Sequence, residues 1–162
     1  FDPVQEICCE TLAKQFPNLR TSDQLLQKWQ TLSPSDFGFH NALRQADGSL
    51  IWLDFEYFGW DDPAKLISDF LWHPGFSLTT QQQQTWKEGC LKIFTDDKEL
   101  PERLKYVFPL YGLRWCLILL NAFHRDEVVE KRQLQLQKAQ NFLSQVKIYL
   151  PKRTQQKWTT IN

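Results

Sequence analysis

Apolar residues recur at the three- and four-residue spacing of amphipathic helices over most of this chain. Start and stop signals, such as Asp2-Pro3 before the first apolar run and Pro17 after it, bound several of these stretches. Pro109 lies within the fifth stretch and is expected to kink or split that helix. The pattern predicts helices at 2–16, 21–32, 63–72, 79–94, 99–123 and 126–150, followed by a polar tail at 151–162.

A short segment near the front predicts a β-hairpin instead. Extended runs at 41–45 and 50–54 flank Asp47-Gly48, a dipeptide that favours a two-residue type I′ turn. With that turn at the centre, Asn41 is predicted to lie opposite Asp54, and directly opposed side chains share one face of a hairpin. The predicted fold class is therefore mainly α-helical, with one small β-hairpin.

The size and charge of the chain limit what it can be. With 162 residues, of which 42% are hydrophobic, it can bury a core and is expected to form one domain or one lobe. Its 19 Lys and Arg residues balance 19 Asp and Glu residues, which argues against a nucleic-acid partner bound through bulk phosphate neutralisation. Because the chain starts at Phe1 and contains no methionine, we expect it to be a piece of a longer protein.

The cysteines and the apolar runs predict a cytoplasmic protein without a membrane segment. Cys8, Cys9, Cys90 and Cys116 show no CxxC spacing and are expected to be buried free thiols in a reducing compartment. The longest apolar run, 116–120, is too short to cross a bilayer. We therefore expect neither a membrane nor a nucleic acid as partner.

The candidate chemistry lies around the predicted hairpin. Asp36, Asn41 and Asp54 offer hard oxygen ligands of the kind that Mg²⁺ takes together with water and phosphate oxygens. The alternative is that Asp36 is a turn residue, Asn41 a loop cap and Asp54 a strand-end aspartate, since Asp and Asn are common in turns. The apolar residues interspersed among them weigh against this alternative, because polar groups left without partners in such a setting are costly.

The order of these motifs resembles that of the aminoglycoside phosphotransferase and choline kinase family. Asp36-x-x-x-x-Asn41, a hairpin and the run "LDFEY" follow one another, and "LDFEYFGWDDPAKL" is similar to the choline/ethanolamine kinase form. The resemblance is dense over 33–63 and implies the C-terminal, substrate lobe of a protein-kinase-like phosphotransferase. It implies a lobe at 1–150 with a catalytic loop at 33–41, the hairpin at 41–54 and helices at 63–150.

The resemblance also implies roles for individual residues. Asp36 would orient or deprotonate the acceptor hydroxyl, and Asn41 and Asp54 would hold Mg²⁺. Glu56 would be a second acidic group near the metal or the acceptor. His40 would contact phosphate or acceptor, or alternatively it is a structural histidine bonded to a loop carbonyl.

The sequence departs from the family pattern at three places. Pro34-Ser35 stand where the family has His-Gly before the aspartate, and Leu66 stands where the family has an aspartate after Asp-Pro. No glycine precedes Gly38, so the Gly-rich loop of the nucleotide lobe is absent from these residues. ATP would need that missing lobe, and the chain by itself is expected to be inactive.

The acceptor site of the family is lined by helices that follow the metal motif. Here Trp60, Tyr111 and Trp115 are candidates for lining it, because aromatic faces attract ammonium groups. Arg114 is a further candidate: it either faces the cleft or forms a salt bridge with an Asp or Glu inside the lobe. The alternative is that aromatic residues at helical spacing belong to the core.

The function expected from the resemblance is ATP- and Mg²⁺-dependent phosphoryl transfer to a hydroxyl of a small molecule of amino alcohol, aminoglycoside or sugar type. A non-catalytic binding or scaffold protein that keeps the lobe is the alternative.

Overall fold

The computed structural model describes most of the chain after residue 24. Four residues of the first predicted helix, 2–16, are described, and all four are helical, in agreement with the prediction. The other residues of this predicted helix lie outside the described part. The predicted tail at 151–162 also lies outside it. The described residues are 25–123, 125 and 127–149, together with Glu6, Glu10, Ala13 and Lys14.

The described part of the chain is mainly α-helical, as predicted. Four α-helices follow the short strands near the front: α1 (Pro63–Trp72), α2 (Thr80–Ile93), α3 (Leu100–Leu120) and α4 (Val129–Ile148). Helix α3 runs through Pro109, so the expected split of this helix does not occur. Pro109 is buried, and packing of a buried helix face outweighs the single hydrogen bond that proline removes.

Local capping signals explain where α1 and α2 begin. Asp62 accepts a hydrogen bond from the backbone N–H of Ala64, and Pro63 occupies the first helical position of α1. Thr79 and Gln82 form a reciprocal capping box at the start of α2. These side chains satisfy backbone donors that have no partner within the helix, so both boundaries can be predicted from sequence.

The second predicted helix, at 21–32, is wrong over its described part. Gln27–Trp29 form one turn of 3₁₀-helix, and Thr31–Ser33 form strand β1, which pairs antiparallel with β4 (Gly59–Asp61). Pro34 disfavours a helical conformation at the residue before it, and the ladder to β4 satisfies the backbone there. This second two-stranded sheet was not predicted.

The predicted hairpin is present, with a register one residue away from the predicted one. Strand β2 (Ala42–Arg44) pairs antiparallel with β3 (Leu50–Trp52), and Ala42 lies opposite Trp52. Gly48 donates to the backbone oxygen of Gln45 and has φ of 87°, which is typical of a three-residue loop ending in a left-handed glycine. A type I′ turn needs two left-handed residues, and Asp47 is not one of them. Asn41 therefore lies opposite Leu53, not Asp54.

The chain divides into two compact units. One consists of Ser22–Leu104, and the other of Phe1–Thr21 with Lys105–Asn162. In the second unit the buried Cys116, Leu119 and Ala139 form a core on α3 and α4, against which further apolar residues pack. The packed residues are Leu120, Phe142 and Leu143.

The helical stretch Leu100–Phe123 is long and apolar enough to cross a membrane by length and composition. Core helices of globular proteins pass the same test, and 33% of its most apolar window is buried. The cytoplasmic location stays a prediction.

Candidate active site

The candidate site is built on the loop between β1 and β2, which aromatic side chains hold in place. Phe37 packs its ring against Trp52 of the hairpin at 4.5 Å, and against Phe70 of α1 and Trp86 of α2 at 5.7 Å each. Phe39 also contacts Phe70, with the ring centroids 5.7 Å apart. These contacts fix the loop between two helices and the hairpin, and Asp36 and His40 flank the fixed segment.

The backbone on both sides of the site adopts an uncommon conformation. Ser35, directly before Asp36, has φ of 61°, and Asp54, directly after Leu53, has φ of 62°. Left-handed backbone at residues other than glycine is strained and persists only when neighbouring contacts enforce it. Lys65 of α1 supplies one such contact through its ammonium, 3.2 Å from the Ser35 hydroxyl. Lys65 also pairs with the carboxylate of Asp61.

Asn41 connects the loop to the hairpin. Its side-chain Nδ2 donates to the backbone oxygen of Asp36 at 3.0 Å, and its backbone oxygen accepts from the N–H of Leu53 at 2.8 Å. The amide is thereby oriented, and its Oδ1 accepts no hydrogen bond within the described residues. Asp54, the residue after Leu53, is exposed, and no hydrogen bond joins it to Asn41 or Asp36 in the described part of the chain.

Two histidines approach the carboxylate of Asp36. The Nε2 atom of His73 is 3.2 Å from Asp36 Oδ1, and the Nε2 atom of His40 is 3.4 Å from Asp36 Oδ2. The two imidazoles stack with centroids 4.3 Å apart. Gly38 leaves room for this arrangement, because a Cβ there would lie 2.8 Å from His40 Nδ1. His40, a predicted site residue, is therefore brought to Asp36.

His73 is a site residue that the sequence did not indicate. It follows the last residue of α1 and lies 37 positions after Asp36. In the sequence, His73 stands between the end of a predicted helix and Pro74. Many residues without a functional role occupy such a position, so the sequence does not mark His73 as a site residue. Burial and the charge of His40 lower the pKa of His73, while Asp36 opposes this effect. The ring is therefore mostly neutral at neutral pH.

The other predicted residues are distributed over both units. The carboxylate of Glu56 beside the Tyr57 hydroxyl raises the pKa of Tyr57, and the charges of Asp54 and Asp36 raise this pKa further. Asp36, Asp54 and Glu56 thus contribute negative charge to one region.

Among the predicted acceptor-lining residues, Trp60 is exposed on β4 in the unit that contains Asp36. Tyr111, Arg114 and Trp115 lie on α3 within the other unit. Trp115 is only 7% exposed, as the core alternative predicts, whereas Arg114 is exposed.

Asp36, His40 and His73 also form a possible metal-binding group, since their ligand atoms lie within 4.8 Å of one another. Two imidazoles and a carboxylate suit a transition metal better than Mg²⁺. The donor set predicted from sequence, Asn41 and Asp54, is of the oxygen type that Mg²⁺ prefers. The structure therefore brings together one group of three donors, whereas the Asn41–Asp54 pair stays a prediction.

No match to the chain is found among protein-family models, curated proteins or solved structures. A function for this chain therefore rests on the geometry of the site and on the residues that carry the resemblance.

Proposed function

We propose that this chain is the C-terminal, substrate-binding lobe of a protein-kinase-like enzyme that transfers the γ-phosphoryl group of ATP to a hydroxyl group of a small molecule. The acceptor would be an amino alcohol, an aminoglycoside or a sugar. The observation that carries the proposal is the closed Asp36–Asn41 loop, in which the amide of Asn41 is bonded to the backbone of Asp36.

This loop supplies two groups that phosphoryl transfer needs. The Asp36 side chain is 41% exposed, so an acceptor hydroxyl can reach its carboxylate. Asp36 would orient the hydroxyl oxygen toward the γ-phosphorus and take its proton as the new P–O bond forms. The bond from the γ-phosphorus to the β–γ bridging oxygen breaks in the same step, and ADP leaves.

Mg²⁺ is the metal that the resemblance implies, and the residues present fit it in donor type. Asn41 Oδ1 is oriented away from the bond made by its Nδ2, and Asp54 offers an exposed carboxylate. The pair is proposed on donor type alone, because Asn41 lies opposite Leu53 and does not share a face with Asp54 as the predicted register required. The ion, when bound, would neutralise charge on the phosphate oxygens of ATP. ATP itself would be held by the nucleotide lobe that the family possesses.

The test is Mg²⁺-dependent ADP release by the full-length protein against a panel of amino alcohols, aminoglycosides and sugars. Asp36→Asn and Asp54→Asn are the test variants, and asparagine is chosen at position 54 because it tolerates the left-handed backbone there. Asp47→Asn is the matched control, since Asp47 is an exposed aspartate in the hairpin loop whose side chain accepts hydrogen bonds from Ser49.

The expected result is turnover with one acceptor class, lost in both test variants and retained in the control. The rate should fall at least about 100-fold in Asp36→Asn, the lower range for removing a positioned general base. No turnover with any acceptor, together with no Mg²⁺-dependent nucleotide binding, would favour the non-catalytic binding protein.

A further inference from the structure

The backbone of Gly75 determines which nitrogen of His73 carries the proton. The N–H of Gly75 lies 3.0 Å from His73 Nδ1 and points at it. A backbone N–H can only donate, so Nδ1 must accept with its lone pair. The neutral ring then carries its proton on Nε2, the atom 3.2 Å from Asp36 Oδ1.

We propose that His73 is a positioning residue that donates a hydrogen bond from Nε2 to Asp36 and holds its carboxylate in place, and that it does not bind a metal. A metal ligand must offer a lone pair, and the only lone pair of the neutral ring is used by Gly75. Moving the proton to Nδ1 would free Nε2 for a metal, but it would break the bond from Gly75 and set two N–H groups against each other.

The ring of His73 is held firmly enough to act as such a donor. It stacks on His40 at 4.3 Å with 16° between the planes, and on Phe76 at 5.0 Å with 10° between the planes. Its side chain is 9% exposed. Gly75 is required for the close approach, because a Cβ at this position would lie 2.7 Å from His73 Cε1. The donor is therefore held by two stacked rings and, at one edge, by the backbone of Gly75.

The role of this donor in catalysis rests on the proposed function. A carboxylate side chain that is 41% exposed can rotate, and each rotation moves the atom that must meet the acceptor hydroxyl. A hydrogen bond to Oδ1 from a fixed ring limits this rotation. His40 lies beside the other oxygen, Oδ2, at a longer 3.4 Å.

The first measurement needs no substrate. Long-range ¹H–¹⁵N spectra of the labelled chain at pH 8 report which ring nitrogens are protonated, and the signals of His73 are assigned by their loss in His73→Gln. We expect Nε2 to be protonated and one equivalent of ZnCl₂ to leave these signals in place. Protonation at Nδ1, or a stoichiometric shift of the His73 and His40 signals with Zn²⁺, would overturn the inference.

The second measurement uses two variants of the full-length protein, with the acceptor that supports ADP release. His73→Phe keeps a ring that can stack on His40 and Phe76 but has no donor, whereas His73→Gln keeps a donor and loses the ring. We expect kcat to fall on the order of 10- to 100-fold in His73→Phe with little change in acceptor KM. His73→Gln should recover most of this loss.

Equal losses in the two variants would refute the donor role, because the ring and not the hydrogen bond would then matter. If the full-length protein has no turnover, the proposed function fails, and the spectra still decide which ring nitrogen of His73 carries the proton.

Discussion

Replacing Arg103 with methionine should destabilise the unit formed by Ser22–Leu104. The guanidinium makes two hydrogen bonds to Asp62, of 2.8 and 3.1 Å, and a bond of 2.6 Å to Asp97. Burial alone would lower the pKa of Arg103, but the bonds to both aspartates raise this pKa above its usual range. Methionine keeps the apolar stem and removes only the charged head.

The expected loss follows from what remains around the missing charge. The side chains of Arg103, Asp62 and Asp97 are 16%, 22% and 7% exposed, so two carboxylates stay partly buried beside each other. Removing one partner of a buried pair costs about 3–5 kcal/mol, and the capping bonds that both aspartates keep reduce this to about 2–4 kcal/mol here. Substituting Asp97→Asn in the Arg103→Met background should recover part of the loss, because one of the two like charges is then removed.

Urea unfolding followed by tryptophan fluorescence and far-ultraviolet circular dichroism measures the free energy of unfolding. Lys98→Met is the control in the same unit, since Lys98 is exposed and its ammonium donates to the backbone oxygen of Thr95. Its effect should stay within about 0.5 kcal/mol. A loss in Arg103→Met as small as that of the control would show that the Arg103 pairs contribute nothing net to stability.

Further predictions concern two glycines and two thiols. Gly48→Ala should lower the free energy of unfolding by about 1–2 kcal/mol and Gly48→Asn by less, since only the latter tolerates φ of 87°; both are measured by urea unfolding. Gly38→Ala should lower ADP release by the full-length protein, because the added Cβ would lie 2.7 Å from Phe76 Cε1 and 2.8 Å from His40 Nδ1 and would displace both rings. Unchanged activity would show that this close approach is not needed. Cys90 and Cys116 are buried and burial raises the pKa of each to about 11, so mass spectrometry should find both unmodified by iodoacetamide at pH 8 until urea is added.

Sequence determined the features of this protein that depend on neighbours within a few residues. The helices at 63–72 and 79–94 were predicted nearly to their ends, because Asp62-Pro63 and Thr79 with Gln82 supply the capping bonds locally. The hairpin was predicted for the same reason, since Asp47-Gly48 is a strong turn signal. The grouping of Asp36 with Asn41 follows from a spacing of only five residues.

Tertiary structure decided the features that depend on distant partners. The segment 31–33 becomes a strand because its backbone can form hydrogen bonds with β4. The hairpin register depends on whether the loop has two or three residues, and the Asp47-Gly48 sequence is compatible with both. His73 reaches Asp36 across 37 positions, and Arg103 reaches Asp62 across 41. Such pairs form where packing excludes water from both groups. Because this packing depends on the whole fold, the pairs leave no local pattern in the sequence from which they could be predicted.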